Sequence, residues 1–362
     1  MTNPKYKNIT AEQNASNRFC RMVSGQTIVE IPEFQLELDK TKDNLFISHA
    51  LTGSSDVKDS WGPLLGTGQT FDPSRFFIVC IKFLGSSYGL CSPVAIEKAT
   101  GKPYGPQFPL VTVKDDIGVQ KLFLDSLGVE SIACVIGGSK EGIATLEYSS
   151  TYNGTGYARA SAWCISWNET QRQCIFSDLN YDDGYYYETE GLRPDSGLSA
   201  ARMAASHTRF GRKLPSAKTG LPKNKDEERW LAHNNGSRLA RNSSVNLTTD
   251  KPKTYFTVQS YLRYQGEKLV GRFDANCYIA ISRKLDTHVI TRGQPATPYL
   301  ETLKCPHLII GIPSDSLFTY TTEFLDNSGK VEVFEDWEKY VVLVENGENS
   351  VLGEAELNIT NY

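Results

Sequence analysis

At 362 residues the chain has room for one large domain or two, and a composition 40% hydrophobic and 11% aromatic supplies a sizeable core and excludes intrinsic disorder. A formal net charge of −4 offers no basic footprint for nucleic acid, which leaves a small molecule or a protein as partner. Met1 to Arg18 is polar and lacks the apolar stretch of a secretory signal, and no run of about 18 apolar residues follows, so a cytoplasmic protein without a membrane span is expected. The eight cysteines (Cys20, Cys80, Cys91, Cys134, Cys164, Cys174, Cys277 and Cys305) are scattered without a C-x-x-C pair, which predicts free thiols and no metal site.

Taken in chain order, Thr27 to Leu38 alternates apolar and polar residues around Pro32, the pattern of an edge strand or hairpin arm. Leu45 to Gly53 reads as a buried strand running into a glycine loop, and Arg75 to Lys82 as the next strand. Phe83 to Phe108 is too rich in glycine and proline for regular structure. Val119, Leu122, Phe123 and Leu127 recur at helical spacing, which predicts a crossover helix over Val113 to Leu127. Ile132 to Ile136 is β-branched enough for a buried parallel strand, a helix follows Gly142, and a further strand is expected around Ala160 to Ile165. This alternation predicts an α/β fold with a mostly parallel sheet.

From Trp167 to about Arg292 the chain turns polar and aromatic, with helical stretches at Gly197 to His207 and Thr257 to Arg283 and a solvated run between Lys213 and Lys253. The block has the look of an inserted lid. The sheet pattern resumes at His307 to Ile312 and Val331 to Phe334, followed by Trp337 to Val344, with the His307 strand expected beside the Ile132 strand. Residues 1–166 and 293–362 are thus expected to form one core and 167–292 a helical insertion.

Chemistry concentrates at Gly137-Gly-Ser-Lys-Glu-Gly142, where a serine falls on a sharp strand-to-helix turn. Such an elbow pushes the serine oxygen into a cleft and turns the next backbone N–H into half of an oxyanion hole. Glu141 stands where the pattern wants glycine. The loop His49 to Gly53 leaves a strand at its carboxyl end, the edge that lines ligand crevices in α/β sheets. His49 itself reads either as a catalytic base or as a strand-end histidine bonded to backbone.

Several stretches together resemble the homoserine O-acetyltransferases: His49-Ala-Leu-Thr-Gly53, Gly101-Lys-Pro-Tyr-Gly-Pro-Gln-Phe-Pro109, Thr112-Val-Lys-Asp115, Gly137-Gly-Ser139 and Ser314-Asp-Ser-Leu-Phe318. Asn168-Glu-Thr-Gln-Arg-Gln-Cys174, Ser260-Tyr-Leu-Arg-Tyr-Gln265, Arg272-Phe-Asp-Ala-Asn-Cys-Tyr278 and Asp286-Thr-His288 are most similar to the fungal deacetylcephalosporin C acetyltransferase branch. The resemblance implies an α/β-hydrolase core with a helical lid, a homodimer made through the lid, and acetyl transfer from acetyl-CoA through an acetyl-serine. It implies Ser139 as nucleophile, Asp315 as triad acid, the backbone N–H groups of Leu51 and Lys140 as oxyanion hole, and His49, Thr52 and Arg263 as substrate contacts.

The departures cluster in the site. Lys339 stands where the family's catalytic histidine belongs, and Tyr340 where its substrate-reading aspartate belongs. A serine without a base is a poor nucleophile at neutral pH. The leading expectation is therefore a fungal natural-product tailoring enzyme in which Lys339, Glu141, Asp315 and Tyr340 do acid–base work on a small secondary metabolite (cyclisation, isomerisation, elimination or C–C bond chemistry) without a cofactor, with homoserine acetylation at background. Acetyl-CoA-dependent O-acetylation of a small-molecule hydroxyl through Ser139 is the alternative, and a catalytically inactive binding protein the third reading.

Overall fold

The computed structural model describes residues 18–21, 28–31, 42–88, 91–138, 140–151, 162–210, 257–289, 309–311 and 331–333. Strand β1 (Arg18–Arg21) pairs antiparallel with β2 (Ile28–Ile31), which falls inside the expected Thr27 to Leu38 arm. The sheet that positions the site is built on β3 (Asp43–Ile47), flanked in parallel by β4 (Phe76–Val79) and β5 (Cys134–Ile136) in the order β4-β3-β5. Leu45, Phe46 and Ile47 are all buried, which is why this strand reads as an unbroken apolar run. Phe46 faces one cluster with Val113, Ile117 and Tyr148, while Leu45 and Ile47 face another with Leu64 and Phe71.

A short helix α1 (Val57–Trp61) follows β3, its N-terminus capped by the Asp56 side chain. Helix α2 (Val113–Ser126) starts at a capping box in which Thr112 accepts from the Asp115 N–H and Asp115 accepts from the Thr112 N–H. Its buried positions Val113, Asp116, Ile117, Gln120 and Leu124 form one helical stripe, and Asp116 is the anomaly in it. Helix α3 (Lys140–Thr151) packs beside α2, where the Tyr148 hydroxyl donates to Gln120 Oε1 at 2.8 Å.

Where a strand was expected around Ala160 to Ile165, the chain forms helix α4 (Ala162–Phe176). Its buried residues Cys164, Asn168, Gln171, Arg172 and Ile175 recur at helical intervals, and three of them are polar groups that bury by pairing. Helices α5 (Asp195–Phe210), α6 (Thr257–Val270) and α7 (Ala275–Asp286) complete the helical part. The single helical stretch expected from Thr257 to Arg283 is broken at Gly271–Asp274, where the Asp274 side chain caps α7 by accepting from the Cys277 N–H. Helices α4 and α5 cross so closely that a Cβ on Gly197 would lie 2.6 Å from the Cys174 carbonyl oxygen.

Strand β6 (Ile309–Gly311) pairs in parallel with β7 (Val331–Val333). Among the described residues β5 has β3 as its ladder partner and β6 has β7, so the expected pairing of the Ile132 and His307 strands is not formed there. The strand β5 is also less covered than a central strand, with Cys134 exposed and Val135 and Ile136 half-buried. The expected run Lys213 to Lys253 and the segment Trp337 to Val344 lie outside the described residues. No described helix is long and apolar enough to cross a membrane.

Candidate active site

The carboxyl ends of β3 and β5 are neighbours, joined past the last ladder pair by the Ser48 N–H donating to the Ile136 carbonyl at 2.9 Å. The loop after β3 and the turn after β5 therefore leave the sheet side by side, as the sequence predicted. Between β5 and α3 only residues 137–139 remain, the strand-to-helix spacing that an elbow requires. Lys140 opens α3, and its N–H is among those that no intrahelical carbonyl satisfies. A helix start carries positive partial charge, and an oxyanion formed beside it is stabilised.

Ser139 itself, Asp315, Lys339 and Tyr340 lie outside the described residues, as do the side chains of Lys140 and Glu141. The structure accordingly brings together the β3 loop and the first turn of α3, the two segments from which an oxyanion hole was expected.

The β3 loop is buried, with His49 at 1%, Thr52 at 6% and Ser54 at 7% exposure. It turns on the Gly53 N–H donating to the Ala50 carbonyl at 2.6 Å, and a Cβ on Gly53 would meet the Ala50 N and O at 3.0 Å. His49 lies with Nδ1 3.0 Å from the Ala50 carbonyl and Nε2 3.3 Å from the Phe83 N–H. A carbonyl only accepts and an amide N–H only donates, which fixes the proton on Nδ1. The ring also stands edge-on to Phe83, with centroids 4.9 Å apart. The strand-end reading of His49 describes this geometry: both nitrogens hold the loop and the segment after β4. Leu51 is half-buried and packs on the core clusters of both the sheet and the helical part.

One residue beside the β3 loop was quoted in the sequence only as part of a family-like stretch and was not singled out for the site. Arg272, at the break between α6 and α7, donates from Nη2 to Thr52 Oγ1 at 3.4 Å, while its buried Nε has no partner. A guanidinium placed against the β3 loop has the geometry to take a carboxylate in a bidentate fork. The glycine in Gly271-Arg-Phe-Asp274, inside a stretch read as one helix, was the available clue to a break there. Arg263 sits on α6, half-buried.

The described cysteines are free thiols. Burial pushes the Cys91 thiol up to about 11, so it stays protonated and weakly nucleophilic at neutral pH. Burial pulls the Lys82 ammonium below its ordinary value, and it donates to the Tyr88 carbonyl. Among the described residues no group of three or more His, Cys, Asp or Glu could hold a metal ion.

The chain is 44% identical over 399 residues to the homoserine O-acetyltransferase of Saccharomyces cerevisiae, an alignment covering 87% of this chain and 82% of that one. The enzyme of the same name from Emericella nidulans is 42% identical, covering 85% and 80%. Among solved structures, esterase E22 superposes with a TM-score of 0.66 at 20% identity, covering 94% of this chain and 97% of that chain. The homoserine O-acetyltransferase from Bacillus anthracis gives 0.66 at 16%, covering 96% and 97%. These neighbours show the α/β-hydrolase fold. No protein-family model matches the chain.

The curated relatives overturn the leading expectation of a tailoring enzyme doing cyclisation, isomerisation, elimination or C–C bond chemistry. Proteins sharing this much sequence over most of the chain are named for acetyl transfer to homoserine, which is the chemistry of the alternative. The error lay in giving two replaced positions, Lys339 and Glu141, more weight than an inherited loop, elbow and helical framework.

Proposed function

Because the chain belongs to the homoserine O-acetyltransferase family, we propose that it moves an acetyl group from acetyl-CoA to the hydroxyl of homoserine. In the first half-reaction the Ser139 hydroxyl attacks the thioester carbonyl while its proton passes to the Lys339 amine, and the oxyanion is held by the Leu51 and Lys140 N–H groups. Collapse expels the CoA thiolate, which takes the proton from Lys339 and leaves acetyl-serine. In the second, the homoserine hydroxyl gives its proton to Lys339 and attacks the acetyl carbonyl, and Ser139 recovers a proton as the ester departs. Asp315 is assigned to hold the lysine in place.

The observation that carries this reading is Arg272, whose unpartnered Nε beside Thr52 suits the acceptor's carboxylate and would set its hydroxyl toward the elbow. Tyr340 offers a hydroxyl oxygen where the family has a carboxylate, so the acceptor's amino group is bound more weakly and the KM for homoserine is raised. That replaces the expectation of background activity. The likeness of Asn168 to Cys174 to deacetylcephalosporin C acetyltransferases makes deacetylcephalosporin C the comparison acceptor, and a cytoplasmic homodimer made through residues 167–292 completes the proposal.

Purified protein is incubated with acetyl-CoA alone and then with homoserine. One acetyl group on the intact chain, absent in Ser139→Ala, followed by its transfer to homoserine, is the expected result. Absence of both acetyl-enzyme and acetylhomoserine would overturn the proposal.

A further inference from the structure

Two charged side chains that the proposed chemistry does not use are buried with no exposure at all. Lys284 on α7 places Nζ 2.9 and 2.7 Å from the two carboxylate oxygens of Asp116 on α2. The pair does more than neutralise itself. Asp116 Oδ1 accepts from the Leu84 N–H at 2.8 Å, and Lys284 Nζ donates to the Leu84 carbonyl at 2.7 Å. Both backbone groups of one residue are thus clasped by two side chains from two helices, in the irregular segment that follows β4.

The next residue back, Phe83, gives its N–H to His49 Nε2 and its ring to the edge of the imidazole. His49 Nδ1 in turn holds the Ala50 carbonyl, the same oxygen that closes the turn with the Gly53 N–H. A continuous line of bonds therefore runs from α7 and α2 through Leu84, Phe83 and His49 to the peptide just before Leu51. A buried ion pair is seldom retained for stability alone, since apolar residues of similar volume do as well. What apolar residues cannot do is bind a peptide's N–H and C=O together.

We infer that Asp116 and Lys284 are positioning residues: by clasping Leu84 they set the β3 loop, and with it the Leu51 N–H, at the place where the oxyanion forms. The inference rests on the acetyl-transfer reading, in which Leu51 supplies that N–H. An oxyanion donor must be fixed before the reaction to be effective, so a loop that wanders costs turnover and leaves substrate binding intact.

Since Lys284→Met alone strands a buried carboxylate and confounds activity with lost stability, the test uses two double variants that both remove the charges. In Asp116→Asn/Lys284→Met the amide oxygen still accepts from the Leu84 N–H, and in Asp116→Leu/Lys284→Met nothing does. The first should rescue kcat to within about threefold of wild type, and the second should lose roughly 10- to 100-fold in kcat with little change in KM for acetyl-CoA. Amide hydrogen exchange across residues 49–54 should quicken in the second and not in the first, with α6 unchanged in both. Equal kcat and equal exchange in the two double variants would overturn the inference. If wild type fails to acetylate homoserine, the acetyl-transfer reading falls, and the exchange comparison still decides whether the clasp sets the loop.

Discussion

Two ion pairs hold α7, and they are built on opposite principles. Asp116 and Lys284 are both 0% exposed and spend their remaining hydrogen-bonding capacity on Leu84. Arg172 on α4 reaches Asp286 at 2.6 Å and Glu169 at 2.7 Å, with side-chain exposures of 6%, 13% and 49%. Around that second centre the bonds are shared: Arg172 also donates to Ser282, Asn168 donates to Asp286, and Gln173 donates to Glu169. The dry pair is cut off from solvent, so neither charge can be rehydrated when its partner is removed. The wetter network can lose a member and redistribute. The first joins α7 to the sheet side of the molecule, the second to α4, so the rigid anchor is the one linked through Leu84 to the β3 loop.

The largest effect should come from breaking the dry pair on one side. Lys284→Met leaves the Asp116 carboxylate buried and unpaired, and a loss of about 3–5 kcal/mol in urea unfolding is expected. A loss below about 1 kcal/mol would place this pair with the surface pairs and erase the contrast. Arg172→Met should cost less, about 1–3 kcal/mol, because Asp286 keeps Asn168 and Glu169 is half in solvent. If Arg172→Met proved the more damaging of the two, burial would not be what separates the centres.

The smallest effect concerns pH. The Gln173 amide, and then Arg172, hold the Glu169 carboxyl below its ordinary value. A carboxylate whose native value is depressed stabilises the fold above its unfolded value of about 4.3, and that contribution fades as pH falls through the native value. The stability difference between wild type and Glu169→Gln should therefore be full near neutrality and shrink on acidification below about pH 4.3. A difference that grew on acidification would reverse the sign of the argument.

The same contrast explains what could be read from the residues. Strand β3 was visible because Leu45, Phe46 and Ile47 are buried on both faces by apolar side chains, and α2 because Val119, Leu122, Phe123 and Leu127 recur at helical spacing. The position of the elbow followed from the strand before it and the helix after it. Helix α4 was misread because its buried stripe contains Asn168, Gln171 and Arg172, which mimic a solvated face until their partners on α7 are known. Asp116 hid in the same way: a carboxylate within an apolar stripe has no meaning until Lys284, 168 residues later, is folded against it. Arg272 was missed because its role depends on Thr52, 220 residues away. Periodicity sees neighbours along the chain, and these groups are buried by distant ones.

Leu84 and Lys284 are separated by 200 residues, and that span has a consequence during synthesis. At about 5–20 residues per second the strands β3 and β4 leave the ribosome roughly 10–40 s before the lysine that completes their clasp exists. In that interval Asp116 is an uncompensated carboxylate, and it favours staying hydrated over entering the core. The nascent sheet is thereby kept from sealing early around an unfinished loop, and arrival of α7 becomes the event that commits the two halves of the chain to one another.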